Sequence, residues 1–81
     1  MFINKTVDGL NNLCGRNVCA LRKRLGISQR ELADGLQLLG LDLDKNAIQR
    51  IEAGKRFVTD IEIVVIARFF SITPNELLHM E

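Results

Sequence analysis

"KNAIQRIEAGKR", Lys45–Arg56, is the stretch on which the reading of this chain turns. Ala47, Ile48 and Ile51 recur at helical spacing, so one face can pack inward. Lys45, Asn46, Gln49 and Arg50 fall between them, and Gly54 interrupts the pattern just before Lys55 and Arg56. Two readings fit. Lys, Asn, Gln and Arg are the side chains that hydrogen-bond base edges in a DNA groove. The same residues also clothe any solvated helix face, so the rest of the chain has to decide.

Working outward, the flanking sequence marks its helix starts. Ser28-Gln29-Arg30-Glu31 spells a capping box, in which Ser28 accepts from the backbone N–H three residues on and Glu31 reaches back. Thr59-Asp60-Ile61-Glu62 and Thr73-Pro74-Asn75-Glu76 repeat it, the latter with Pro at the first helical position. Asp44 is a further N-cap, without the acid three residues later. Apolar pairs bracket these caps: Ile27 with Leu32, Leu43 with Ile48, Val58 with Ile63, and Ile72 with Leu77. Such hydrophobic staples fix the angle at which the chain enters a helix.

Five helices follow. The first carries Cys14, Val18, Leu21 and Leu25 and ends at Gly26. The second offers Leu32, Ala33, Leu36 and Leu39, and the third is the opening stretch. The fourth, "DIEIVVIARFF", is apolar nearly all round, so it is either central or has a second face for a partner. Its β-branched run also suits a strand, but the cap and the length favour a helix. The last runs from Pro74 to about Met80. Residues 1–12 carry no clear signal; they read as an N-terminal arm or frayed segment, or a short strand, ahead of a domain spanning 13–81.

Composition narrows the function. A chain of 81 residues makes one small domain. Four Phe with no Trp or Tyr argue against single-strand binding modules, which depend on base–aromatic stacking. No apolar run is long enough to span a bilayer and no signal peptide is visible, so a cytoplasmic protein without membrane attachment is expected. Cys14 and Cys19 with the single His79 do not supply the four clustered ligands that zinc needs, so no metal or other cofactor is expected. Both cysteines read as reduced thiols, Cys14 in the core. No nucleophile–histidine pattern or Gly-rich phosphate loop suggests an enzyme.

The net charge of +1 conceals a segregation. Residues 16–30 hold Arg16, Arg22, Lys23, Arg24 and Arg30 with no acid, a local +5. Residues 45–56 hold Lys45, Arg50, Lys55 and Arg56 against Glu52, a local +3. If these segments meet in space they form a basic face suited to a polyanion.

Helices in this order, the second and third forming a helix-turn-helix, are what "LRKRLGISQRELA" (Leu21–Ala33), "AIQRIEAGKR" (Ala47–Arg56) and "SITPNELL" (Ser71–Leu78) have in common with a known family. The chain resembles the Cro/CI-type, or XRE, helix-turn-helix regulators over residues 13–80. The resemblance implies an all-α, five-helix, lambda-repressor-like domain. It implies a regulator, expected to be a repressor, that binds sequence-specific duplex DNA as a homodimer on a two-fold operator. Lys45, Asn46, Gln49 and Arg50 would then face bases, and Gln29, Arg30, Lys55 and Arg56 would contact phosphates. Arg22 and Glu52 match a structural ion pair that joins the first helix to the third. The surplus apolar face of the fourth helix, with Ile63, Ile66 and Phe70, is the expected dimer contact. No small-molecule ligand is expected, since the chain has no room for a sensing domain.

The chain departs from the compact family pattern between Ala33 and Ile48, where "GLQLLGLDLD" adds residues. Either the second helix runs a turn longer or the connection is a real loop. A protein-interaction module of the same fold, an adaptor or antitoxin-like partner using the apolar fourth helix, is the alternative reading.

Overall fold

The computed structural model describes residues 4–79, which form five helices and no strand: α1 (Gly15–Leu25), α2 (Gln29–Leu38), α3 (Lys45–Glu52), α4 (Asp60–Phe69) and α5 (Pro74–His79). Phe2, Ile3 and Met80, included above in the weak strand and the last helix, lie outside the described residues.

The caps form as their spacing dictates. Ser28 Oγ accepts from the Glu31 N–H at 3.0 Å while Glu31 Oε1 accepts from the Ser28 N–H at 2.9 Å. Thr59 with Glu62 and Thr73 with Glu76 make the same reciprocal pair. Asp44 Oδ1 accepts from the Ala47 N–H at 2.8 Å and starts α3 alone. Every residue of the apolar staples lies in or against one core, with Leu32, Ile48 and Leu77 fully buried.

α3 is the pivot of that core. It packs against both α1 and α2, while α4 lies on α2 and α5 closes the bundle against α4 and α1. Val18, Leu32, Leu36, Ile48, Ile51, Ile66 and Leu77 are all fully buried. Asn17, a buried polar residue of α1, is satisfied by donating from Nδ2 to the Leu77 carbonyl at 2.6 Å.

The extra residues after Ala33 are a loop and not a longer helix. α2 stops at Leu38, Gln37 Nε2 donates to the Leu43 carbonyl at 3.2 Å, and Leu43 returns to the core. Gly35, a weak helix former by propensity, sits where α2 meets α4: a Cβ there would lie 2.3 Å from the Phe69 ring. Close approach explains the glycine.

Two expectations change. Ile66 faces inward with no exposed surface, because the i, i+4 stripe from Glu62 through Ile66 is the one α4 turns to the core. It cannot touch a partner. The apolar residues left outside on α4 are Ile61 and Val64, with Ile63 and Phe70 half-buried beside the core. Second, of the readings open for residues 1–12, no strand forms among those described, and Asn11 and Asn12 hydrogen-bond to the last turn of α3 and the loop after it.

Candidate nucleic-acid interface

α3 divides by face. Ala47, Ile48 and Ile51 are buried, and Lys45, Asn46, Gln49 and Arg50 are exposed. Lys45 and Gln49 are one turn apart, as are Asn46 and Arg50, so the polar side chains form adjacent rows. Neither Lys45 nor Arg50 is in an ion pair among the described residues. The helix ends in a left-handed turn at Gly54 (φ +74°), where the Gly54 N–H donates to the Ile51 carbonyl and the Lys55 N–H to the Arg50 carbonyl. Glycine suits that turn because a Cβ there would be strained and would meet Leu10 at 2.7 Å. Lys55 emerges from it exposed.

Beneath this surface lies an ion-pair hub. Arg22 of α1 donates from Nε to Glu52 Oε2 at 2.7 Å and from Nη2 to Glu52 Oε1 at 3.0 Å. Its Nη1 donates to the Ile27 carbonyl at 2.9 Å. Gln29, opening α2, adds a bond from Nε2 to Glu52 Oε1 at 3.1 Å. One carboxylate at the end of α3 therefore receives donors from both α1 and α2, which sets how the three helices sit together.

The model of the helix-turn-helix family matches residues 20–77. The chain belongs to that family. The restriction-modification controller protein C.AhdI from Aeromonas hydrophila, known from a high-resolution crystal structure, is 32% identical, with a TM-score of 0.66 over 78% of this chain and 84% of that one. No curated protein matches. This helix-turn-helix protein is a DNA-binding transcriptional regulator of the Cro/CI type. Both its family and its solved neighbour are regulators rather than enzymes. No helix among its described residues is long and apolar enough to cross a membrane.

The cations of the regulator do not all face outward. Arg22 is turned in to Glu52, while Arg16 stays exposed but is paired with Asp8 at 2.7 Å. Arg56, expected at phosphate, forks instead onto Glu62: Nη1 donates to Oε1 and Nη2 to Oε2, each at 2.9 Å, and Nη1 also donates to the Phe57 carbonyl. The physical reason is the α4 capping box, which places the Glu62 carboxylate back over the start of the helix, six residues from Arg56. The bidentate guanidinium–carboxylate pair engages both terminal nitrogens and offsets the Arg56 charge, which weakens its pull on a phosphate. Lys23, Arg24, Arg30, Lys45, Arg50 and Lys55 are exposed cations outside these pairs.

Sequence reasoning missed Asn11, Asn12 and Glu62. Only Glu62 left a usable signal, as an acid that the Thr59 box positions near a basic residue.

Burial alone would push the Glu52 carboxyl up, but hydrogen bonds from Arg22, Gln29 and Cys19 outweigh it and hold it below the ordinary value of 4.5. The Arg56 fork, against some burial, likewise holds Glu62 down. A carboxylate lowered on folding contributes stability that is complete above its unfolded pKa and lost as pH falls through the folded one. Urea unfolding is therefore expected to show stability constant near neutrality and declining below the ordinary carboxylate value of 4.5. Glu52→Gln is expected to be less stable at neutral pH and to decline less steeply on acidification; an unchanged acid slope would contradict the assignment. At the opposite extreme, burial pushes the Cys14 thiol up to about 11, so it stays protonated and inert in the core.

Proposed function

We propose that the regulator binds a two-fold duplex operator as a homodimer, with α3 of each copy in the major groove. The observation that carries this is the division of α3, whose buried Ile48 and Ile51 fix a helix that exposes Lys45, Asn46, Gln49 and Arg50 together. Arg50 has the donor fork that reads guanine and Asn46 the amide that reads adenine, with Lys45 and Gln49 against neighbouring bases or phosphates. Gln29, Arg30 and Lys55 contact the phosphate backbone; Gln29 does so with the amide hydrogen that Glu52 does not use. The dimer forms through α4, where Ile61 is 70% and Val64 46% exposed, one turn apart on the outer side, with half-buried Ile63 and Phe70 beside them. Symmetry then pairs two recognition helices with two half-sites. The protein acts by binding alone, without catalysis or cofactor. The likeness to C.AhdI supports control of genes of a restriction-modification system as its role.

Selecting bound duplexes from a random library is expected to return an inverted repeat occupied by two copies. On that site, Arg50→Ala should cost ~1–3 kcal/mol and flatten preference at one base pair in each half-site. Lys55→Ala should weaken all sequences alike and make the salt dependence shallower by about one unit. If both variants lose affinity uniformly, α3 does not read bases; if one copy binds a site without symmetry, the dimer is wrong.

A further inference from the structure

The segment ahead of α1 is built into the end of α3. Asn12 Oδ1 accepts from the Gly15 N–H at 2.8 Å and so caps α1, whose N-cap residue Cys14 makes no side-chain bond. From the same side chain, Nδ2 donates across the fold to the carbonyls of Ile51 at 3.1 Å and Arg56 at 2.8 Å. Asn11 donates from its backbone N–H to the Gly54 carbonyl at 2.8 Å and from Nδ2 to the Lys55 carbonyl at 2.9 Å. Two consecutive asparagines thus donate to the Ile51 carbonyl in the last turn of α3 and to the Gly54, Lys55 and Arg56 carbonyls of the loop that follows.

That coverage has an electrostatic consequence. Carbonyl oxygens at and just beyond the C-terminal end of a helix carry partial negative charge, which opposes the approach of an anion, and the asparagines occupy three of them in the Gly54–Arg56 loop. Lys55 leaves the fold at this end. Its own N–H is held by the Arg50 carbonyl at 2.9 Å and its own carbonyl by Asn11, so its backbone is pinned on both sides.

We propose that Asn11 and Asn12 are positioning residues for the DNA-backbone contact. They hold the Gly54–Arg56 loop so that Lys55 faces the phosphate, and they cover carbonyls that would otherwise repel it. Neither touches DNA. The inference rests on the reading of Lys55 as a phosphate contact.

Asn11→Ala is the informative variant, because it removes the bond to the Lys55 carbonyl and leaves the α1 cap and the Asn11 backbone bond in place. Titrating the full-length variant into fluorescent duplex, with the selected site and with random sequence, over a range of salt concentrations reads the effect directly. Circular dichroism sets the folded concentration. The expected result is affinity about fivefold lower for both duplexes near physiological salt, with a salt slope shallower by about one, the signature of one lost phosphate contact. In a Lys55→Ala background, Asn11→Ala should change affinity little further, whereas a purely structural residue would act independently of Lys55. Wild-type affinity and slope in Asn11→Ala, or fully multiplicative effects in the double variant, would overturn the proposal. If Lys55→Ala itself leaves the slope unchanged, the assignment of Lys55 fails instead, and the two failures are told apart by that single variant.

Discussion

Glu52→Ala is expected to lower the free energy of unfolding by about 3 kcal/mol, a large fraction of the total for a domain of this size. The side chains of Arg22 and Glu52 are only 13% and 6% exposed, so removing the carboxylate strands a guanidinium with little water to replace its partner. Gln29 loses its acceptor at the same time. Arg22→Ala should cost a similar amount, because it strips Glu52 of the guanidinium and leaves a buried carboxylate with neutral donors only. Each single variant includes the penalty for an abandoned charge, and the double variant does not. A mutant cycle by urea denaturation should therefore show the pair losing clearly less than the sum of the singles. Additive losses below 1 kcal/mol would mean that the pair is a surface contact and that the hub does not hold α1 and α2 to α3.

Gly15→Ala is expected to be the most damaging change of a single methyl group, at or above the top of the ~1–3 kcal/mol range for overpacking. A Cβ at Gly15 would lie 2.0 Å from the Ile51 carbonyl oxygen and 2.7 Å from Asn12 Oδ1. The first is backbone of α3 and cannot rotate away, so the start of α1 has to move off α3 and pull the Asn12 clasp with it. A lowering of the melting temperature by about 10 °C or more would follow from such a loss. Gly35→Ala is the control. The atoms it meets belong to the Phe69 side chain and not to backbone, so the clash is relieved at lower cost, and alanine regains up to about 1 kcal/mol of helix propensity. A melting temperature for Gly15→Ala no lower than that of Gly35→Ala would show that α1 and α3 do not touch as described.

Both variants bear on the same helix, and they show which parts of the candidate interface were legible. The rows of Lys45 with Gln49 and Asn46 with Arg50 follow from periodicity alone, because helical geometry decides which residues share a face. The Arg22–Glu52 pair was legible only through family resemblance. Its partners are thirty residues apart, and nothing local in either stretch calls for the other. Arg56 reads in sequence as one more cation in a basic loop; the Glu62 carboxylate that engages it is visible only once α4 has a direction.

What the sequence determined by itself is what can be settled within about one turn of helix. Ser28, Asp44, Thr59 and Thr73 each satisfy a donor three residues away, and the staples sit next to them, so the starts of α2 through α5 needed no tertiary information. The tertiary structure decided everything that depends on which surfaces meet. It turned Ile66 inward and left Ile61 and Val64 outside, because the positions of α2 and α5, and not the pattern of a helix that is apolar nearly all round, decide which stripe of α4 is covered. It also bound Asn11 and Asn12 to the end of α3. An asparagine amide has no preferred partner until folding brings unsatisfied carbonyls within reach, and these came from a loop some forty residues along the chain.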